Sequence, residues 1–162
     1  MGSATIKFSP TAKKEYVKQY ALDVIIDILT KSNNVNCLIT STARTPYDQA
    51  RIMFDNCELK GSMAQLKLYK EAGQQVVKVY MNRGIDNRES TIAKMEAKIL
   101  EIGASHVSRH CADFNKLCVV DIAPSSISNK SGFIAETLLD KRVSKLLHPP
   151  TDPAFHLEIP IK

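Results

Sequence analysis

Three short segments carry side chains able to bind a metal ion: Ser108-Arg109-His110, Val119-Val120-Asp121-Ile122 and Phe155-His156-Leu157-Glu158. Each sets an imidazole or a carboxylate within an apolar run. A carboxylate that follows Leu117-Cys118-Val119-Val120 demands a partner, because burying an unpaired charge is costly; a cation, a metal or several donors would meet the demand. Two imidazoles and one carboxylate form a common three-ligand set for catalytic zinc, with a fourth position left to water. His110, Asp121 and His156 are therefore the candidate zinc ligands. Plainer readings stand beside this one. A histidine in a strand is often a satisfied core or surface residue, and Asp121 could cap the turn at Pro124-Ser125-Ser126.

For these residues to meet, particular elements must position them. Residues 107–112 and 117–123 read as strands, with Asp113-Phe114-Asn115-Lys116 as the turn between them. If that turn pairs Ala112 with Leu117, His110 faces Val119 and Ser108 faces Asp121. Alternation then places positions 108, 110, 119 and 121 on one face, with His110 and Asp121 as diagonal neighbours. A slip of one residue would undo this arrangement. Residues 154–159 read as a last strand, on which Glu158 shares a face with His156.

Before these strands the chain is mostly helical. Ser9 is a candidate N-cap with Pro10 at the first helical position, and Val17, Tyr20, Ala21, Val24, Ile25, Ile28 and Leu29 recur at helical spacing. Ser32-Asn33-Asn34 breaks this helix, residues 35–40 read as a buried strand, and 41–45 as the loop leaving it. Pro46 starts a second helix. Residues 61–80 and 90–102 read as two more, the latter ended by Gly103. Residues 131–147 read as helical up to His148-Pro149-Pro150. The expected fold is α+β: a single domain over residues 1–162, with a small antiparallel sheet carrying the zinc site and packed against several helices.

The chain has 162 residues, enough for one domain with its own core. No apolar run approaches the roughly 20 residues that cross a bilayer. Residues 1–10 lack the charged start and apolar core of a secretory signal, so the expectation is synthesis in the cytoplasm and action on the cell wall, or else the mature form of a secreted protein. A formal charge of +5 favours anionic polymers, including bacterial wall polymers. The cations are dispersed and not interleaved with aromatics, so nothing points to specific nucleic-acid binding. Cys37, Cys57, Cys111 and Cys118 form no CxxC pair, which argues against a zinc finger or a thioredoxin-type motif. Cys37 and Cys118 are expected as buried thiols; four cysteines in a chain of this size do not demand a disulfide framework, and a Cys111–Cys118 bridge across the hairpin is the lesser alternative.

The order of the three segments resembles that of the D-alanyl-D-alanine metallopeptidases, whose fold is shared by the hedgehog signalling domain. The family carries a Ser-x-His segment, an Ala-Val-Asp-Ile-like strand and a late aromatic-His strand. Here these correspond to Ser108-Arg109-His110, Val119-Val120-Asp121-Ile122 and Phe155-His156. Upstream, Ile39-Thr40-Ser41-Thr42-Ala43-Arg44-Thr45-Pro46-Tyr47-Asp48-Gln49 is similar to the family's strand-loop-helix segment, in which a Ser-x-x-Arg loop precedes a helix containing Gln. The resemblance covers about 35–49 and 107–159.

The resemblance implies zinc bound by His110, Asp121 and His156, with Arg44 reaching toward the metal centre to hold a substrate carbonyl or developing oxyanion. It implies a peptidase cutting peptide stems of bacterial peptidoglycan, as a carboxypeptidase or endopeptidase, in the manner of an endolysin or a delivered toxin. Ser41 and Gln49 would be supporting residues. Where the family carries its catalytic Glu, three residues before the last His, this chain has Pro153. The nearest acids are Glu158 and Asp152; Glu158, which shares a face with His156, ranks first as the general base, with Asp152 in its Pro-flanked loop as the alternative. A second reading is a metal-binding relative without catalysis, since fold does not fix function.

Overall fold

The structure, a computed structural model, describes residues 2–162; Met1, the first residue of the segment read for a leader, lies outside it. The chain divides into two compact units, one formed by the residues up to Ala43 together with Asp113–Lys162, the other by Arg44–Ala112. Elements are numbered in chain order. Seven α-helices and a five-stranded sheet make this an α+β fold among the described residues. No helix among them is long and apolar enough to cross a membrane.

The first unit holds the sheet: β1 (Thr5–Phe8), β2 (Asn36–Ser41), β3 (Leu117–Ile122), β4 (Lys145–Leu147) and β5 (Phe155–Pro160), in spatial order β1-β2-β3-β5-β4. It is antiparallel except at one edge, where β1 runs parallel to β2. Strand alternation sends Cys37 and Ile39, then Cys118, Val120 and Ile122, then Phe155, Leu157 and Ile159 into one core. Helix α1 (Gln19–Lys31) contributes Val24, Ile25, Ile28 and Leu29 to that core. Phe133 of α7 (Lys130–Leu139) packs there against Phe155, ring centroids 5.1 Å apart. Asn34 ties the α1–β2 corner to the start of α7, its Oδ1 accepting from the Asn129 backbone N–H at 2.8 Å.

The second unit is helical: α2 (Pro46–Lys60), α3 (Ser62–Leu68), α4 (Glu71–Met81), α5 (Arg88–Ile102) and α6 (Ala104–Val107). Pro46 occupies the first turn of α2 and Thr45 caps it, accepting the Asp48 N–H at 3.1 Å. Met53, Phe54 and Cys57 of α2 meet Val76, Val77 and Tyr80 of α4 and Ile92, Met95 and Ile99 of α5 in a second core. Gly103 ends α5 with φ +101, a conformation that side chains with a Cβ rarely adopt.

Four sequence expectations are corrected. The helix expected from Pro10 begins only at Gln19: Ser9 still follows the strand, its N–H donating to the Ile39 carbonyl at 2.9 Å, and Pro10 lies in a turn. Residues 61–80 form two helices, because Tyr69 and Lys70 are extended and separate α3 from α4. Residues 131–147 are not one helix. Asp140 closes α7 by accepting the Arg142 N–H at 2.9 Å, and the apolar run beyond becomes the edge strand β4. Finally, residues 107–112 form no strand. The end of α6 is followed by a 3-10 turn at Arg109–Cys111, in which the Cys111 and Ala112 N–H groups bond the Ser108 and Arg109 carbonyls.

Candidate metal centre

The β3–β5 ladder places two acids and an imidazole side by side. Cys118, Val120 and Ile122 fill the core, so alternation turns Val119 and Asp121 to the opposite face of the sheet. On β5 the same rule turns His156 and Glu158 to that face. The register pairs Asp121 with His156 and Val119 with Glu158. His156 Nδ1 lies 2.9 Å from Asp121 Oδ1, and His156 Nε2 lies 3.2 Å from Glu158 Oε1. One ring thus meets a carboxylate at each nitrogen. His156 and Glu158 are buried, at 7% and 4% exposure, and the Asp121 side chain is 19% exposed. Burial pulls the His156 pKa down. The hydrogen bonds to Asp121 and Glu158, then their charges, outweigh it and leave the pKa raised.

A bulge in β2 brings a third strand to this row. Ile39 pairs with Ile122, yet Ser41 pairs with Asp121, so two steps along β2 match one along β3. Ser41 therefore stands opposite Asp121, where unbroken alternation would have kept it in line with Ile39. Thr40 Oγ1 donates to the Asp121 carbonyl at 3.3 Å and steadies the irregular step.

In the second unit, His110 sits in the 3-10 turn and is 6% exposed. The hairpin expected to set it diagonal to Asp121 does not form. The strand neighbours of Asp121 are His156 and Ser41. What fixes the His110 segment is a backbone bond: the Arg44 N–H donates to the His110 carbonyl at 2.8 Å. Arg44 is itself held by α2, its guanidinium donating to Gln49 Oε1 at 3.2 Å. Gln49, fully buried, donates from Nε2 to the Tyr69 hydroxyl at 3.4 Å. Tyr69 was not among the sequence candidates, since a lone tyrosine at a helix end carries no pattern. Burial raises its pKa, and the neighbouring Arg44 charge opposes the rise.

All four cysteines are free, and with the hairpin absent the Cys111–Cys118 bridge has no scaffold. Cys37 and Cys118 are buried thiols, each pushed up to about 12 by burial. Asp152 lies in the turn before β5, where its Oδ1 accepts the Ala154 N–H at 2.9 Å.

His110, Asp121 and His156 are a group that could hold a metal ion. The donor chemistry, two imidazoles and one carboxylate, fits zinc in a site that keeps a position for water. Comparison with family models, with curated proteins and with solved structures finds no match for this chain.

Proposed function

We propose that this chain is a zinc-dependent peptidase acting on peptide stems of bacterial peptidoglycan. The observation that carries the reading is that His110, Asp121 and His156 are a group that could hold a metal ion. The substrate class rests on the sequence resemblance described above. Zinc held by these residues would lower the pKa of a bound water toward neutrality and polarise the scissile carbonyl.

The remaining steps fall to side chains of this chain. Arg44 is the candidate to hold the carbonyl oxygen as negative charge develops, since a guanidinium offers fixed donors to an oxyanion. Its support is local: Gln49 steadies the guanidinium, and the Arg44 backbone is tied to the His110 turn. A carboxylate must take a proton from the attacking water and pass it to the leaving amine. Of the two candidates, Glu158 is engaged with His156 Nε2, so Asp152, half-buried in the turn leading into β5, is the proposed base. The surplus of positive charge assists approach to an anionic wall.

One observation favours a second reading, a metal-binding module without catalysis. Pro153 stands where the resembled family carries its acid, and the buried Glu158 is taken up by the imidazole. The test is zinc content and peptide release from purified wall material, for the native protein and for His110→Ala and His156→Ala. About one zinc per chain, lost in both variants together with peptide release, supports the peptidase. Zinc uptake without release moves the assignment to the binding module, and no zinc in metal-replete folded protein overturns both.

A further inference from the structure

We infer that Glu158 is a positioning residue for the metal-binding imidazole: by accepting the Nε2–H of His156 it holds the ring so that Nδ1 is the nitrogen offered to a metal shared with Asp121. The inference rests on the metal-site reading above and adds a role within it. It also removes Glu158 from the general-base candidates.

The two ring nitrogens of an imidazole point out of the ring in diverging directions, so one ring cannot serve one ion through both. Asp121, the proposed co-ligand, lies at the Nδ1 edge, its Oδ1 2.9 Å away. A metal bound by both residues must then lie on that edge. Glu158 lies at the other edge, with Oε1 3.2 Å from Nε2. A neutral imidazole that coordinates through Nδ1 carries its proton on Nε2, and that proton needs an acceptor where water is excluded. Glu158 supplies it, and the contact selects the tautomer, aims the ring and raises its basicity.

Placement in the fold makes this contact rigid. His156 and Glu158 are two apart on β5, so they share a face, and β5 is flanked by β3 and β4. Glu158 pairs with Val119 on one side and Lys145 on the other. Its carbonyl accepts the Ser144 N–H at 2.9 Å, which fixes its backbone at the β4 edge. At 4% exposure the carboxylate is too enclosed for bulk water to be its main partner. A proton shuttle between water and a leaving group needs access that this position lacks, whereas orienting a ring needs only burial and a fixed distance.

The experiment compares wild type, E158Q, E158A and His156→Ala for zinc affinity, by competition with a chromophoric chelator, and for imidazole N–H signals by 15N-edited NMR of the zinc-loaded protein. Cobalt-substituted protein reports whether a ligand has been lost. Expected are a 10- to 100-fold loss of zinc affinity in E158A, the range found when such outer partners are removed, with little change in E158Q, whose amide oxygen can still accept the proton. A slowly exchanging His156 Nε2–H should appear in wild type and E158Q and vanish in E158A, with the cobalt spectrum keeping its coordination number throughout. E158Q is isosteric and keeps the test valid if E158A does not fold. Unchanged affinity in E158A, or a His156 proton found on Nδ1, overturns the inference. So does zinc loss in E158Q as complete as in His156→Ala, which would make Glu158 a ligand. If wild type itself takes up no zinc, the metal reading falls and the inference with it; zinc lost in His156→Ala but retained at full affinity in E158A sinks the inference alone.

Discussion

The placement of His156 and Glu158 depends on the register of β5, and Leu157→Ala tests that register directly. Leu157 is completely buried, paired with Val120 on β3 and Leu146 on β4, and its side chain belongs to the core of the first unit. Truncation to Ala removes three carbons, worth about 0.8 kcal/mol each for lost burial, or about 2.4 kcal/mol. Ile122, Phe155 and their neighbours are fully buried and cannot close the space entirely, so a cavity term brings the loss to roughly 3–4 kcal/mol. With a urea dependence of about 2 kcal/mol per molar, the unfolding midpoint should drop by roughly 1.5–2 M with unchanged slope, read by circular dichroism. Zinc content of the folded variant should equal that of wild type, because Leu157 points away from His156. A loss below about 1 kcal/mol would refute the reasoning: it would mean β5 is shifted by one residue, which sends Leu157 to the site face and His156 to the core.

Three further outcomes follow from the same geometry. Gln49→Ala removes the acceptor that steadies Arg44, and should cost about 2 kcal/mol of stability and one to two orders of magnitude in peptide release, with zinc content intact; unaltered release would show that Arg44 does not act through this contact. Hydrogen bonds from Arg142 hold the Asp140 carboxyl below the usual carboxylate range, against the opposing effect of burial. A depressed native pKa stabilises the fold above the unfolded value near 3.9, and that gain is lost as pH falls through the native value. Asp140→Asn should therefore lower stability by about 1–2 kcal/mol at neutral pH and flatten the acid limb of a stability–pH curve; an acid limb as steep as in wild type would contradict this. Finally, a thiol reagent at pH 8 should label native protein slowly, starting with half-buried Cys111, and should find four thiols after unfolding, since burial pushes Cys57 and Cys111 up to about 11 and Cys37 and Cys118 to about 12. Fewer than four thiols in denaturant would reveal a disulfide.

Much of the candidate site could be read locally because strand alternation is a local property. Leu117-Cys118-Val119-Val120-Asp121-Ile122 and Phe155-His156-Leu157-Glu158 each announce a strand with one or two polar positions in an apolar run, and the sharing of a face by His156 and Glu158 follows from their spacing alone. The start of α2 was equally plain, since Pro46 is suited to the first turn of a helix; the Thr45 cap emerged only in the structure. Errors arose where apolar residues lacked a clear period. Val143, Leu146 and Leu147 continue the pattern of α7, yet Asp140 and Arg142 turn the chain and send them to the sheet edge. Thr5–Phe8 is too short and too half-exposed to signal a strand without its partner β2.

By itself the sequence determined the donor types, the strands that carry Asp121 and His156, and the face on which Glu158 lies, because residue identity and alternation do not depend on distant parts of the chain. The tertiary structure decided which strands are neighbours. Asp121 meets His156 across β3 and β5, 35 residues apart in sequence, and not His110 across a hairpin. It also decided that Ser41 reaches Asp121 through a bulge, that His110 sits in a 3-10 turn bonded to the Arg44 backbone, and that Glu158 stands at the far edge of the His156 ring. Pairing and register are set by burial and hydrogen bonding summed over the whole sheet, a sum that no local stretch of sequence contains.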